Sequence, residues 1–290
     1  MLNSSKVLND EGVQLLMQGK ADAAIRKYFD AIAADPNNAT AHNNLGFALA
    51  SKGHHADAIV EYDCALALQT DYGTAHLNRG LSLLALTRPG DAVDAFAAAI
   101  ECDRTNIWAW EALADTFQHG GHPTEAVRAW RMVVRLDPRH LVAWQRLAAL
   151  LIQESTLDEA DAALRSAESL ASDNVTNHVL MGKLFLARQD FGLATRTFRR
   201  ALMSDPDHAA ARHALACTYL ARGDREASRV ELEHVLRLHP DHHLARVDLG
   251  VLALAAGNHD AAVTQLGLIP DSVPEYGKAM YYLAMAHREA

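Results

Sequence analysis

The chain has 290 residues, of which 50% are hydrophobic, 22% charged and 6% aromatic, a composition typical of a folded protein and not of a disordered one. Its formal net charge of −9 argues against a general affinity for nucleic acid or for an anionic membrane surface. The three cysteines, Cys64, Cys102 and Cys217, form no CxxC pair. They therefore predict neither a disulfide framework nor a zinc knuckle, and indicate a reducing compartment.

The first dozen residues contain no export signal, because polar and acidic side chains interrupt every short apolar run. Apolar runs further along the chain, such as residues 147–152, end well before the roughly 20 residues that a membrane-spanning helix needs. We therefore expect a cytoplasmic protein without a membrane partner.

Prolines recur along the chain at multiples of 34 residues. Two groups keep this spacing: Pro36, Pro138, Pro206, Pro240 and Pro274 form the first, and Pro89 and Pro123 form the second. The first group follows helix ends, where proline cannot continue a helix, and the second fits the first turn of a helix. The spacing indicates a structure built from repeated helical segments.

Counting from residue 5 gives eight repeats, at residues 5–38, 39–72, 73–106, 107–140, 141–174, 175–208, 209–242 and 243–276. Position 8 of each repeat is small: Gly12, Gly46, Gly80, Ala114, Ala148, Gly182, Ala216 and Gly250. Position 24 is bulky: Tyr28, Tyr62, Phe96, Trp130, Leu164, Phe198, Leu232 and Leu266. Small residues allow two helices to approach closely, and bulky ones fill the space between neighbouring helices.

These residues resemble the tetratricopeptide repeat (TPR), whose 34-residue pattern has small and large residues at the same places. The resemblance covers almost the whole chain. It implies an all-α fold, a right-handed TPR superhelical solenoid of antiparallel helix pairs, as one continuous domain over residues 5–276. It also implies that the first helices line a concave groove and that the second helices form the convex back.

The last segment of the chain is predicted to cap this array of repeats. Gly267 and Pro270 shorten the second helix of the eighth repeat, and residues 275–290 are predicted to form a C-terminal capping helix. Within it, Met280, Leu283 and Ala284 are expected to face inward.

Catalytic and metal-binding patterns are weak. The sequence contains no Gly-rich phosphate loop, nucleophile elbow, HExxH or kinase motif, so we expect no enzyme and no cofactor. Most of the 16 histidines recur at fixed repeat positions, which favours structural roles, so no metal is expected. A bound metal, if present, is expected at the loop cluster His239–His243. The arginines between Arg188 and Arg229 are interleaved with acids, which argues against a nucleic-acid site.

The TPR resemblance implies which side chains point into the groove, namely positions 2, 5, 6, 9, 12 and 13 of each first helix. The candidate peptide-binding residues at these positions are Asn9, Asn43, Asn44, Phe47, Asn78, Trp108, Glu111, Asp115, Gln145, Lys183 and His213. A carboxamide can donate to a backbone carbonyl and accept from a backbone N–H, so the amides suit an extended peptide. Trp108 is expected in the groove, whereas Trp110 and Trp144 are expected to pack between repeats.

Two segments that contain candidate groove asparagines resemble repeats of a further protein family. The segments Asn44-Leu45-Gly46 and Asn78-Arg79-Gly80 resemble repeats of O-linked N-acetylglucosamine transferases, whose asparagines hold the backbone of the substrate peptide. The match ends after two repeats.

The sequence as a whole predicts a non-catalytic scaffold that binds a protein or peptide segment in its groove. Two alternatives stay open. The first is a rod that self-associates through its C-terminal helix, and the second is a regulatory subunit of a separate enzyme.

Overall fold

The computed structural model describes residues 2–289 of the backbone and residues 4–288 of the side chains. Over this range the backbone forms 17 α-helices and no strand. The helices are α1 (Leu2–Met17), α2 (Ala21–Ala34), α3 (Ala39–Ser51), α4 (His55–Leu68), α5 (Gly73–Ala85), α6 (Pro89–Cys102), α7 (Ile107–His119), α8 (Pro123–Leu136), α9 (Leu141–Gln153), α10 (Leu157–Leu170), α11 (Val175–Ala187), α12 (Phe191–Ser204), α13 (Ala209–Ala221), α14 (Arg225–Leu238), α15 (His243–Ala255), α16 (His259–Leu266) and α17 (Tyr276–Glu289).

The helix bounds agree with the repeat register. Each repeat contains one odd-numbered helix, here called a first helix, and one even-numbered helix, here called a second helix. The helix α1 begins at Leu2, a few residues before the boundary read from the sequence. The helix α16 is only eight residues long, as Gly267 and Pro270 predicted, and α17 follows it.

Contacts divide the chain after Ala143 into two compact units. In the N-terminal unit each first helix packs on the second helix of its own repeat, and the second helices α2, α4 and α6 pack on the next first helix. The first helices α1, α3, α5 and α7 also contact one another in sequence, whereas the second helices within residues 2–143 make no comparable contact. The first helices therefore lie on the inner, more closely spaced face of this unit.

In the C-terminal unit the same order of packing recurs. The first helices α11, α13 and α15 pack on the second helices of their own repeats, α12, α14 and α16. Each of these second helices then packs on the next first helix. The helix α17 packs on both α15 and α16. Each element thus buries its apolar face against its neighbours in sequence, as expected of a repeat protein.

Close packing between position 8 and position 24 holds each helix pair together. A Cβ atom added at Gly12 would lie 2.5 Å from the Tyr28 ring, and one added at Gly182 would lie 2.5 Å from the Phe198 ring. Both rings are fully buried. The close approach predicted from the small residues is confirmed, and the bulky partner comes from the second helix of the same repeat.

In each of the eight repeats, the turn after the first helix contains a residue with a left-handed backbone at position 15. Five of these residues are glycines with φ between 73° and 84°, and three are Thr87, Ser155 and Gln189, with φ near 60°. Glycine adopts this conformation at little cost, whereas the other residues pay a penalty. The loop geometry is therefore kept even where the sequence does not favour it.

Side chains at the last position of a repeat cap the following helix. The Oδ1 atoms of Asn38, Asn106 and Asn174 accept the N–H of the residue three positions later. The Nδ1 atoms of His140 and His208 do the same. This capping gives the recurring loop histidines a structural role.

The C-terminal helix departs from the expectation at one residue. Ala279 and Ala286 are buried against α15 and α16, and Met280 and Leu283 are half-buried. Ala284, expected to face inward, is exposed. It occupies position 8, which packs on a second helix of the same repeat, and within the described residues α17 has no such partner.

Candidate binding face of the first helices

Asparagines on three consecutive first helices form one chain of hydrogen bonds in the N-terminal unit. Asn78 Nδ2 donates to Asn43 Oδ1 at 3.2 Å, Asn43 Nδ2 donates to Asn44 Oδ1 at 3.2 Å, and Asn44 Nδ2 donates to Asn9 Oδ1 at 2.9 Å. Asn9 Nδ2 then donates to Asp10 Oδ1 at 3.4 Å. All donors point the same way along the chain, toward a carboxylate that can only accept when ionised.

The members of this asparagine chain differ in exposure. Asn9 and Asn43 are buried, whereas Asn44 and Asn78 are half-buried. Each carboxamide has two N–H donors and an oxygen with two lone pairs, so one bond at each end leaves capacity unused. Asn44 and Asn78 can therefore offer hydrogen bonds to a ligand, while Asn9 and Asn43 orient them.

An open, largely apolar cavity of about 380 Å³ lies beside Asn44. It is lined by Val13, Leu16, Met17, Tyr28, Asn44 and Phe47. Phe47 is 50% exposed and Met17 is exposed still further. This combination of apolar wall and one polar group is typical of a pocket that holds an apolar side chain.

The two tryptophans of α7 have different environments. Trp108 is 74% exposed. Trp110 packs against a buried apolar cluster between α5, α6 and α7, and its Nε1 donates to the carbonyl of Arg104 at 3.0 Å. Trp108 is free to contact a ligand, whereas Trp110 holds α7 against the preceding repeat.

The two acidic candidates on α7 differ in their contacts. Glu111 Oε1 lies 2.7 Å from His140 Nε2. Because His140 Nδ1 accepts a backbone N–H, Nε2 carries the proton and donates to this carboxylate. Asp115 is half-buried and lines a second open cavity, of about 400 Å³, with Leu84 and His119.

In the C-terminal unit Gln145 joins two first helices. Its Nε2 donates to the Oδ1 atoms of Asn174 and Asn177, at 3.0 and 2.7 Å. The buried Asn177 in turn donates to the carbonyls of Ala167 and Ala171. Gln145 is therefore largely occupied by these structural contacts, whereas Lys183, also predicted for the groove, is exposed.

His213 lies in a cluster that the sequence did not reveal. Its Nε2 is 2.9 Å from Asp248 Oδ2 and 3.9 Å from Cys217 Sγ. Burial alone lowers the pKa of His213, but hydrogen bonds to Asp248 and Cys217 outweigh that effect and raise it to about 9. Both partners approach the same ring nitrogen, so the imidazole cannot relay a proton between carboxylate and thiol as in a catalytic triad.

The cluster follows a spacing of 35 residues that recurs on this face. Asn9 pairs with Asn44, Asn43 pairs with Asn78, and His213 pairs with Asp248, each joining position 5 of one repeat to position 6 of the next. Equal positions in successive repeats do not connect Cys217 or Asp248 with His213. Asp248 follows His213 by the repeat length plus one residue, and Cys217 follows it by four residues on the same helix.

Side chains at position 4 also share one structural contact. His42 Nε2 lies 3.3 Å from the carbonyl of Pro36, and His76 Nε2 lies 3.0 Å from that of Thr70. Arg212 donates to the carbonyl of Pro206 at 2.9 Å in the same way. Each donor ties its first helix to the loop before it, which explains why polar residues recur at this position.

No helix among residues 2–289 combines the length and the apolar character that spanning a membrane requires.

An array of antiparallel helix pairs with a small-to-bulky contact inside each pair defines a helical repeat protein. A family model described as TPR repeat matches residues 12–53. A second, described as tetratricopeptide repeat, matches residues 53–107 and 213–269. The chain is a tetratricopeptide repeat protein.

Solved structures show the same fold. A tetratricopeptide repeat protein from Parabacteroides merdae ATCC 43184 is 16% identical, with 98% of this chain and 99% of that chain covered and a TM-score of 0.57. MamA is 24% identical, with 56% and 94% covered and a TM-score of 0.52. The APC/C hetero-tetramer Cut9-Hcn1 is 18% identical, with 98% and 56% covered and a TM-score of 0.59. The comparison with curated proteins found no match.

Proposed function

We propose that this protein is a non-catalytic cytoplasmic scaffold that binds an extended segment of a partner protein on the first-helix face of its N-terminal unit. The observation that carries the proposal is the asparagine chain, which passes the apolar cavity lined by Asn44 and Phe47. Repeat proteins use such inner faces as extended binding surfaces.

The asparagine chain supports this function because it orients its exposed members before a ligand arrives. Asn44 is bonded on one side to Asn43 and on the other to Asn9. A side chain that is already held loses little conformational freedom on binding, which improves affinity. The remaining N–H and lone pair of Asn44 and Asn78 match the carbonyl and N–H groups of a peptide backbone.

Apolar anchors supply the second part of the argument. Phe47 and Met17 leave much of their surface in water, and Trp108 is the most exposed tryptophan of α7. Aromatic residues are enriched among the few side chains that dominate binding energy. A partner with apolar side chains along an extended segment fits both the cavity and the asparagine chain.

A photo-crosslinking experiment with a matched control tests the proposal. A photoreactive phenylalanine analogue is placed at Phe47, or at Phe29 of α2, which is 52% exposed and lies on a second helix. We expect crosslinking at Phe47, and not at Phe29, to one stretch of another protein, identified by mass spectrometry. A synthetic peptide of that stretch should bind at least about fivefold more weakly to the Asn44→Ala variant.

Equal crosslinking at the two positions would argue against a specific face. Crosslinking of Phe47 to a second copy of this chain would also contradict the proposal.

Self-association is a second candidate function, and one observation favours it. Tyr281 on α17 is 65% exposed, and its ring lies 5.2 Å from that of the half-buried Tyr282. An exposed aromatic pair on the last helix can meet a second copy. Analytical ultracentrifugation of the protein and of the Tyr281→Ser variant tests this candidate, which requires an oligomer that the variant weakens.

A further inference from the structure

We propose that His213, Cys217 and Asp248 form a binding site for a zinc-like divalent transition-metal ion in the C-terminal unit. The site does not depend on the proposed peptide-binding function, which belongs to the N-terminal unit. The proposal departs from the expectation of no metal. That expectation rested on histidines in loops and at repeated positions, whereas the ligands proposed here come from two different first helices.

The backbone brings the three ligand atoms together. His213 and Cys217 are four residues apart on α13 and therefore lie on one face of that helix. Asp248 comes from α15, so that its Oδ2 lies 2.9 Å from His213 Nε2 and 4.0 Å from Cys217 Sγ. The third separation, from Sγ to Nε2, is 3.9 Å.

These separations match the needs of a tetrahedral ion closely. With Zn–S near 2.3 Å and Zn–N or Zn–O near 2.1 Å, tetrahedral ligands lie about 3.4 Å apart for N and O and about 3.6 Å apart for S and either of them. Each observed distance therefore has to change by only about half an ångström, which side-chain rotation alone can provide.

The kind and exposure of the ligands select the ion. Metal binding releases the protons of the Cys217 thiol and of His213 Nε2 to solvent. The resulting thiolate, imidazole and carboxylate suit zinc or cobalt, whereas magnesium and calcium prefer oxygen ligands only. All three residues are half-buried, so an ion can enter from solvent. Three protein ligands leave a fourth position for water or for a side chain of a partner.

Neighbouring charged groups leave the site open. Lys278 Nζ lies 3.7 Å from Asp248 Oδ1, the oxygen that faces away from the other two ligands, and it is half-exposed and able to move. His242 lies beside His213, with ring centroids 5.1 Å apart and ring planes tilted by 40°. Its Nδ1 accepts the N–H of Ala245, so Nε2 carries the proton and His242 is not a fourth ligand.

A second group of similar composition, His42, Glu61 and Cys64, provides an internal control. His42 places Nδ1 2.7 Å from Glu61 and Nε2 3.3 Å from the carbonyl of Pro36. Arg212 occupies the same position five repeats later and makes the two equivalent contacts, to Glu231 and to the carbonyl of Pro206. Two nitrogens of the side chain at this position therefore have partners within its own repeat and the loop before it, and we expect no metal there.

Titration of the chelator-treated full chain with Co²⁺ tests the proposal, because a cobalt–thiolate bond gives a charge-transfer band in the near ultraviolet. We expect one Co²⁺ per chain, displaced by Zn²⁺. The band should disappear in Cys217→Ser, and affinity should fall at least about tenfold in Asp248→Asn. The Cys64→Ser variant should behave as the unaltered protein.

Helical circular dichroism and melting of each variant show whether it is folded. A missing band in the unaltered protein overturns the proposal. So does a band that persists in folded Cys217→Ser or that disappears in Cys64→Ser. His213→Gln gives a separate measurement of the imidazole ligand, and an unchanged cobalt affinity in that variant would equally contradict the site.

Discussion

At the scale of single residues, the exposure of a side chain depends on its neighbours as well as on its register position. Trp108 and Trp110 lie two residues apart on α7, yet one is largely in water and the other packs in the core and bonds to Arg104. Asn9 and Asn43 are buried although they lie on the binding face. The residues that can meet a partner are those whose neighbours leave them uncovered.

The tryptophan pair leads to a direct test. Trp108→Ala should change the free energy of unfolding by no more than about 0.5 kcal/mol and should weaken binding of a captured partner peptide by at least about fivefold. Trp110→Ala should cost about 2–3 kcal/mol, because it removes apolar contacts and one hydrogen bond. Urea denaturation and titration calorimetry measure the two effects. A large loss of stability in Trp108→Ala would contradict its assignment to the binding face.

His178 predicts a pH dependence. It is 4% exposed, and burial, aided by Arg200, lowers its pKa below the ordinary value of about 6.5, against smaller opposing effects of Glu168 and Asp173. As the pH falls through about 6.5, the unfolded chain binds a proton before the folded chain does. The folded state therefore loses stability until it too is protonated.

The prediction for His178 is measured as a difference between two proteins, so that other titrating groups cancel. Relative to His178→Gln, the unaltered protein should lose free energy of unfolding between about pH 8 and about pH 5. Urea denaturation across that range provides the values. A difference that is constant with pH, or that grows as the pH falls, would show that burial does not lower this pKa.

At the scale of elements, the loop between the two helices of a repeat has a fixed backbone shape. Position 15 has a positive φ in every repeat, whether the residue is Gly121 or Thr87. The shape is set by the packing of the two helices, because position 8 must meet position 24. The residue in the loop accepts the strain that this packing imposes.

Thr87 is the residue least suited to this loop, since it is β-branched and has φ of 57°. Thr87→Gly should raise the free energy of unfolding by about 0.5–1 kcal/mol, since relief of the left-handed penalty exceeds the added freedom of glycine in the unfolded chain. The reverse change, Gly121→Thr, should lower it by about 1–2 kcal/mol. Shifts of the urea midpoint in opposite directions would confirm the reasoning, and a destabilised Thr87→Gly would refute it.

At the scale of the whole molecule, a repeat array needs an end that water tolerates. In the C-terminal unit α17 covers a cluster containing Val247, Leu266 and Ile269, and we predict that it acts as such a cap. The short α16 cannot cover the cluster alone. Within α17 the inward residues are Ala279 and Ala286, so capping and any self-association depend on different side chains.

Truncation after Pro274 tests the cap. Removing α17 uncovers the cluster, and we expect aggregation or a loss of at least about 2 kcal/mol, which lowers Tm by at least about 3 °C for a chain of this size. Light scattering during thermal melting measures both outcomes. Tyr281→Ser is the matched control, since this exposed side chain should leave Tm unchanged. A truncated protein that stays soluble with an unaltered Tm would show that α17 is not a cap.

The sequence by itself determined the helices, their pairing and the family. These features depend on contacts within one repeat, such as Gly12 with Tyr28, whose two members are close in the chain and recur every 34 residues. A contact that repeats with the sequence period leaves a pattern in the sequence. The candidate binding residues could be selected in the same way, because the face of a helix follows from its period.

Only the tertiary structure decided which of those candidates touch one another and which remain in water. Contacts on the first-helix face join residues 35 apart, as in His213 with Asp248 and Asn9 with Asn44, because adjacent first helices pack with an offset of one residue. That offset, like the exposure of Ala284 on α17, results from how neighbouring helices pack. The 34-residue period does not contain this offset, so the asparagine chain and the histidine–cysteine–aspartate cluster emerged from the structure.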